Sequence, residues 1–165
     1  MWSRLFALAF AAAIAGCGFH LRGTADVPFQ TLYVPNATSG IALDLKRNIQ
    51  AGTQAKVVDD AAKAEAVLVF SGETREKNIL SLTGQGRVRE FQLVYRVGFR
   101  MHDGKGGDYI PQTQIALTRD ITFNDTDVLA KEAEEQLLFR DMQNDMVQQI
   151  MRRLAAAPRP KPKVP

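Results

Sequence analysis

The sequence predicts an α+β fold: a mostly antiparallel β-sheet of about four to five strands with two helices packed on one face, in the order β-α-β-β-β-β-α. The clearest strand covers residues 91–101, where apolar and mainly polar side chains alternate, as in a sheet covered on one side only. The clearest helix follows Asp127, because no glycine or proline occurs from there to Ala156 and apolar residues recur at helical spacing. Together these patterns indicate a long C-terminal helix lying against the apolar face of the sheet.

The first half of the chain is expected to form two short strands on either side of a helix. The strands are predicted over 31–34 and 53–58, and a turn or single helical turn over 59–65 follows them. The helix is predicted over 40–51, since apolar residues recur there at four-residue spacing. The residues of that apolar stripe are Ile41, Leu45 and Ile49.

The second half is expected to form a three-stranded meander and the long helix. A buried strand begins at 66–71 and its β pattern continues weakly to Leu82, and the last strand is predicted over 109–123. Glycine-containing segments at 83–86 and 102–107 are typical of the hairpin turns that join these strands to the central one. The helix of about 30 residues should be about 45 Å long. Its predicted apolar stripe consists of Leu129, Ala133, Leu137, Met142, Met146, Ile150 and Leu154.

Composition argues against several classes of function. The chain has 21 Lys and Arg, one of them in the N-terminal leader, which leaves 20 against 18 Asp and Glu. This near balance, without a dense basic stripe, argues against nucleic-acid binding. Two histidines and a single cysteine argue against a structural metal site. Neither His20 nor His102 has a serine or cysteine partner at a recognisable spacing, so we expect no catalytic residues and no enzyme.

The N-terminal leader has the parts of a secretory signal peptide. Arg4 supplies positive charge before an apolar run over 5–14, which is shorter than the roughly 20 residues of a membrane-spanning helix. Small residues then precede Cys17, the only cysteine of the chain. The segment 14–17, Ile-Ala-Gly-Cys, resembles a bacterial lipobox. That resemblance implies cleavage before Cys17, a diacylglycerol on its thiol and an acyl group on its amine.

This interpretation divides the chain into four parts. Residues 1–16 are the signal peptide, 17–30 a lipidated leash, and 31–157 a single α+β domain. The tail over 158–165 alternates proline with Lys and Arg, and we expect it to be extended and disordered. The acyl chains are the only cofactor that we expect, and they would anchor the chain to a membrane. Gly18 stands where lipoproteins retained in the inner membrane commonly carry Asp, which favours the outer membrane.

Three cations are candidates for contact with a phosphate-bearing amphiphile. Arg87 and Arg89 lie just past the first hairpin turn, on the face that becomes apolar from Phe91 onward. Cations beside an apolar surface suit a ligand with phosphates on its head group and acyl chains as tails. Lys131 lies early in the long helix, where the helix dipole disfavours a cation. The alternatives are ordinary solvated charge for the two arginines and i,i+4 pairing with carboxylates for the lysine.

The order of several motifs resembles the LptE family of lipopolysaccharide-assembly lipoproteins. The first motif covers 17–23, Cys-Gly-Phe-His-Leu-Arg-Gly, directly after the lipobox. Further motifs lie at 86–93, 118–121 and 140–154, so the resemblance covers nearly the whole chain after the leader, apart from the tail. Phe91 departs from the family, which more commonly has tyrosine at that position.

The resemblance implies a non-enzymatic protein of the outer membrane. Members of this family are plugs inside the large outer-membrane barrel LptD, assist its assembly, and take part in inserting lipopolysaccharide into the outer leaflet. It therefore implies a hetero-complex with LptD and a lipid-anchored domain on the periplasmic side and within the barrel lumen. Arg87, Arg89 and Lys131 are the hypothetical lipopolysaccharide contacts. The alternative is a free lipid-binding or scaffold lipoprotein of the envelope without a barrel partner, whereas a periplasmic hydrolase is disfavoured by the missing catalytic set.

Overall fold

A computed structural model describes residues 25–124 and 126–160 as a five-stranded sheet with two helices. The strands are β1 (Thr31–Tyr33), β2 (Lys56–Val58), β3 (Ala66–Leu82), β4 (Val88–His102) and β5 (Asp108–Thr122). The helices are α1 (Gly40–Gly52) and α2 (Val128–Ala155), with a short 3-10 turn at Ala61–Lys63. The predicted α+β class and element order are confirmed. Cys17, the predicted signal peptide and residues 161–165 of the tail lie outside the described residues.

The sheet is mixed, because two short strands at one edge add parallel pairing to an otherwise antiparallel arrangement. Its strand order is β2-β1-β3-β4-β5, and β1 runs parallel to both of its neighbours. The parallel pairing with β2 follows because α1 crosses over between the two strands. The other three strands form the predicted antiparallel meander. At a rise of about 3.3 Å per residue, β3 is about 55 Å long and extends well past the two short strands.

The core lies between one face of the sheet and the two helices. The stripe predicted for α1 is confirmed, because Ile41, Leu45 and Ile49 are all buried. The alternation predicted for β4 is also confirmed, since every second side chain is fully buried against the helices. Those buried side chains of β4 are Leu93, Tyr95, Val97, Phe99 and Met101.

The opposite face of the sheet is polar and carries cross-strand contacts. Arg96 of β4 pairs with Glu76 of β3. Gln112 Nε2 of β5 donates to Ser71 Oγ of β3 at 2.6 Å, so this hydrogen bond passes over β4. Gly98 lies beneath it, and a Cβ at that position would be 2.5 Å from Ser71 Oγ. A glycine is therefore required where β4 passes under the bond between its two neighbours.

The apolar stripe predicted for α2 is wrong in the first half of the helix. Leu129 is 82% exposed and Leu137 is 54% exposed, whereas Lys131 and Glu135 are partly buried towards the sheet. Positions four residues apart drift by about 40° per step around a helix of 3.6 residues per turn, so the Leu129–Ala133–Leu137 stripe winds away from the sheet. The stripe is confirmed further along. The buried residues of α2 are Phe139, Met142, Met146, Val147, Ile150 and Leu154.

Packing extends beyond both ends of the predicted domain. Phe29, which precedes the expected domain start, is 3% exposed and meets Tyr109 edge-to-face at 6.0 Å between ring centroids. Pro160 of the tail packs on the turn after β4, and its Cβ lies 2.8 Å from the position that a Cβ added to Gly107 would take. No helix within the described ranges is long and apolar enough to cross a membrane.

Candidate functional site

The hairpin turn between β3 and β4 fixes the positions of two predicted cations. Thr83 N donates to Arg87 O at 2.7 Å, and Gly86 N donates to Thr83 O at 2.9 Å. The Thr83 hydroxyl accepts from Arg87 N at 3.2 Å. Gly86 has φ of 79°, a conformation that favours glycine. We call the end of the molecule formed by residues 77–91, 121–124 and 126–135 the hairpin end.

Both arginines of the hairpin end present exposed side chains. The Arg89 side chain is 66% exposed, and its Nη2 lies 3.9 Å from Glu90 Oε2, which is a loose ion pair. That carboxylate also accepts from Ser81 Oγ. Arg87 is exposed as well. A pair held this loosely in solvent contributes little to stability, so the Arg89 guanidinium can turn towards a ligand anion.

Lys131 lies at the same end but points into the contact between helix and sheet. Its Nζ donates to Thr122 Oγ1 at 3.2 Å and to Glu134 Oε2 at 2.8 Å, and its side chain is only 22% exposed. The pairing is therefore i,i+3 and not the i,i+4 pairing considered from the sequence. Thr122 pairs with Glu90 across β4 and β5, which places Lys131 beside the strand that carries Arg89. The structure thus brings the three cations to one end, with Lys131 already hydrogen bonded.

Exposed apolar side chains surround the cations of the hairpin end. The Phe91 and Phe123 rings meet edge-to-face at 5.3 Å between centroids, and both side chains are partly exposed. In the described part of the chain, six of the seven exposed large apolar residues lie at this end or on the adjoining turns of α2. Those six residues are Ile79, Leu80, Leu82, Val128, Leu129 and Leu137. Such a concentration of exposed apolar surface is typical of a site for another molecule.

Lys77 is a residue of the hairpin end that the sequence analysis missed. Its Nζ lies 2.5 Å from Glu135 Oε2 and 4.4 Å from the centroid of the Phe91 ring. Lys77 pairs with Leu93 of β4, so it shares the helix-covered face of the sheet. Lys77 and Ile79 are two residues apart on β3 and therefore share one face of the sheet, which the sequence could have indicated. The β pattern of this strand is weak beyond residue 71, so the shared face was not predicted.

The described residues offer the hairpin end no metal centre. Within residues 25–124 and 126–160, no three His, Cys, Asp or Glu side chains are grouped so that they could hold an ion. The chemistry available there consists of guanidinium and ammonium donors beside aliphatic and aromatic surface. Such a set can bind phosphate or carboxylate groups through charge-assisted hydrogen bonds and can cover apolar chains.

Comparison with known proteins places this fold in a family. The family model described as "LptE: Lipopolysaccharide-assembly" matches residues 29–154. The LPS-assembly lipoprotein LptE of Pectobacterium atrosepticum is 31% identical, with 93% of this chain and 86% of the relative covered. The LPS-assembly lipoprotein LptE of Yersinia pestis is 32% identical, with 85% of this chain and 69% of the relative covered.

Solved structures agree with this assignment. The solution structure of an uncharacterized lipoprotein B from Nitrosomonas europaea is 47% identical with a TM-score of 0.73, covering 84% of this chain and 91% of that one. The crystal structure of the rare lipoprotein B from Shewanella oneidensis is 25% identical with a TM-score of 0.65, covering 76% and 92%. From the family match and these relatives, we conclude that this chain belongs to the LptE family of lipopolysaccharide-assembly lipoproteins.

Proposed function

We propose that this protein is a lipid-anchored plug of the outer-membrane barrel LptD, that it assists assembly of the barrel, and that its hairpin end contacts lipopolysaccharide during insertion. The observation that carries the proposal is the hairpin end, where exposed arginines adjoin exposed apolar residues in a member of a lipopolysaccharide-assembly family. The polar open face of the sheet supports the barrel part of the proposal. Interiors of outer-membrane barrels are polar, so a polar sheet face is compatible with one.

The hairpin end offers an amphiphile two kinds of contact. Arg87 and Arg89 are positioned to donate hydrogen bonds to phosphates, which guanidinium groups bind in a bidentate manner. Ile79, Leu82 and Leu129 offer apolar surface to acyl chains, worth roughly 25 cal/mol for each Å² removed from water. Lys131 can join only by leaving Thr122 or Glu134, so we expect a smaller contribution from it than from the arginines.

The acyl anchor at Cys17 belongs to the same proposal. Ala25, the first described residue, follows Cys17 by eight positions, so the intervening segment spans at most about 29 Å. Cys17→Ala should leave a folded domain that is lost from washed membranes. Retention of the variant in membranes that lack LptD would contradict the anchor, whereas retention only in the presence of LptD would show that the barrel holds it.

Purification from native membranes tests the barrel partner. A tagged chain extracted in mild detergent should carry LptD with it in a fixed ratio, and a monomer free of LptD would contradict the proposal.

The alternative of a free lipid-binding lipoprotein predicts an apolar pocket between helices and sheet. The side chains there are instead fully buried against one another, among them Tyr95, Phe99, Met142, Met146 and Ile150. This packing favours the plug over a lipid carrier.

A further inference from the structure

The end of the molecule opposite the hairpin brings both ends of the described chain together. Ala25 N donates to Gly52 O at 2.8 Å, and Met151 Cε of α2 would lie 3.9 Å from a Cβ on Gly52. Arg159 lines a groove of about 480 Å³ together with Ala25 and Lys56. Arg159 also lines a smaller groove with Lys105. We call this region, formed by residues 25–30, 52–56, 103–107 and 151–160, the terminal end.

The terminal end carries a group of exposed cations. None of them forms an ion pair with any residue in the described ranges. Two of the carboxylates nearby are occupied within the fold, since Glu65 Oε2 accepts from Gln30 N at 2.7 Å and Asp103 Oδ1 accepts from Lys105 N at 2.7 Å and from Gly107 N at 2.8 Å. The exposed cations are Lys56, Lys105, Arg152, Arg153 and Arg159.

Local structural roles explain only part of this group. Arg152 and Arg153 lie in the last turn of α2, where cations stabilise the helix dipole. Lys56 on β2, Lys105 in a turn and Arg159 in the tail have no such role. The two grooves are lined by three carboxylates, Asp26, Glu65 and Asp103, and by three of the cations. With Arg152 and Arg153, the five cations of the terminal end outnumber these three carboxylates. Two further cations, Lys161 and Lys163, follow in the sequence.

This group is separate from the hairpin end. From Lys131 to Arg152 the helix rises about 32 Å, and β3 separates the two ends of the sheet by about 55 Å. A single phosphate-bearing head group therefore cannot contact both sets of cations at once. A partner of the terminal cations would therefore differ from the ligand of the hairpin end, and the chain continues from Ala25 in this region towards Cys17.

We propose that the terminal end is a contact surface for the anionic head groups of the phospholipid leaflet in which Cys17 is anchored. The proposal rests on the lipid anchor described above, which holds this end within about 29 Å of the bilayer. Each Lys or Arg near an anionic membrane contributes about 1 kcal/mol, screened by salt over about 10 Å. Several such contacts hold the terminal end at this leaflet, so that the hairpin end lies at the other end of the sheet, along the barrel axis and far from these head groups.

Vesicle binding of residues 17–165 carrying Cys17→Ala tests this surface without any acyl chain. The protein should bind phosphatidylcholine vesicles that contain phosphatidylglycerol and should not bind vesicles of phosphatidylcholine alone. Lys56→Gln/Arg159→Gln should weaken binding about 30-fold, from about 1 kcal/mol per charge. The matched control Arg47→Gln/Arg140→Gln removes the same net charge from exposed positions on α1 and α2, and it should bind as the parent does.

Three results would overturn the proposal. An equal loss in both double variants would show that only net charge matters. A larger loss in Arg87→Gln/Arg89→Gln would show that the hairpin end faces the lipid instead. Displacement by inorganic phosphate beyond that by chloride at equal ionic strength would show a discrete phosphate site. Neither lipidation of Cys17 nor co-purification with LptD enters this assay. A negative vesicle result therefore leaves the proposed function standing, and failure to co-purify with LptD leaves the vesicle result unchanged.

Discussion

The ammonium group of Lys77 lies 2.5 Å from the carboxylate of Glu135, so β3 and α2 meet through an ion pair at the hairpin end. The Lys77 Nζ also lies 4.4 Å from the Phe91 ring centroid, as in a cation–π contact. The two side chains are 34% and 22% exposed, so solvent screens the pair only in part. The helix–sheet contact is therefore charged towards the hairpin and apolar towards the terminal end, where Met146 and Ile150 are fully buried.

A double-mutant cycle measures how much this ion pair contributes. Lys77→Met and Glu135→Gln should each lower the free energy of unfolding by about 1 kcal/mol, with a coupling of about 0.5–1 kcal/mol between them. Urea denaturation of the four proteins gives these values. The matched control is Asp60–Lys63, at 4.0 Å with side chains 54% and 77% exposed, for which we expect no measurable coupling. Additive effects of Lys77→Met and Glu135→Gln would contradict the structure.

The orientation of the first turns of α2 gives a second prediction. Leu129→Ser and Leu137→Ser should each change stability by less than about 0.5 kcal/mol, because both side chains are exposed. Met142→Ala and Met146→Ala should cost about 2–5 kcal/mol, because both side chains are fully buried. Thermal or urea unfolding distinguishes the two sets. A cost of several kcal/mol at Leu129 would restore the stripe predicted from the sequence.

The sequence predicts β4 and α1 well because each side chain there follows a single period. In β4 every second side chain from Leu93 to Met101 is fully buried on the covered face, and Ile41, Leu45 and Ile49 point to the core. The direction of β1 was not predictable, since a three-residue strand has the same pattern in either orientation. The prediction for the start of α2 was wrong because an apolar stripe shows only that its side chains avoid water. It does not show whether the surface that covers them belongs to this chain.

The candidate site was predictable only in part for a similar reason. The glycines of the first turn placed Arg87 and Arg89 at a hairpin, where the structure has them. The contact of Lys131 with Thr122 depends on which turn of α2 lies beside β5, and the role of Lys77 depends on which turn lies over β3. That register is set by packing between distant parts of the chain, and no local pattern reports it.

Gly98 should tolerate no side chain. Gly98→Ala should destabilise the fold by about 1–3 kcal/mol, because its Cβ would lie 2.5 Å from Ser71 Oγ and would disrupt the hydrogen bond to Gln112. Gly72→Ala on the neighbouring strand is the matched control, since a Cβ there meets no atom within 4 Å. Equal stability of the two variants in urea would argue against the bridge over β4.

The turn after β4 should contribute to stability in a pH-dependent way. Backbone N–H groups of Lys105 and Gly107 donate to Asp103 and hold the pKa of its carboxyl below its usual value of 3.8. A lowered pKa means that this stabilisation is complete above the usual value and is lost as pH falls through the lowered one. Unfolding midpoints of the wild type should therefore fall in that acidic range more steeply than those of Asp103→Asn. A carboxyl titration by NMR at or above 3.8 would contradict this.

The affinity of the hairpin end for lipopolysaccharide tests the central claim most directly. Arg87→Asp/Arg89→Asp should weaken binding of purified lipopolysaccharide in detergent at least about 10-fold, since each charged hydrogen bond contributes about 1.5–3 kcal/mol. Lys131→Asp should weaken it less, and all three changes should leave the complex with LptD intact. The control Arg47→Asp/Arg140→Asp has the same net charge as the arginine variant and should bind like the wild type. Unchanged affinity in Arg87→Asp/Arg89→Asp, or an equal loss in the control, would contradict the assignment of the hairpin end.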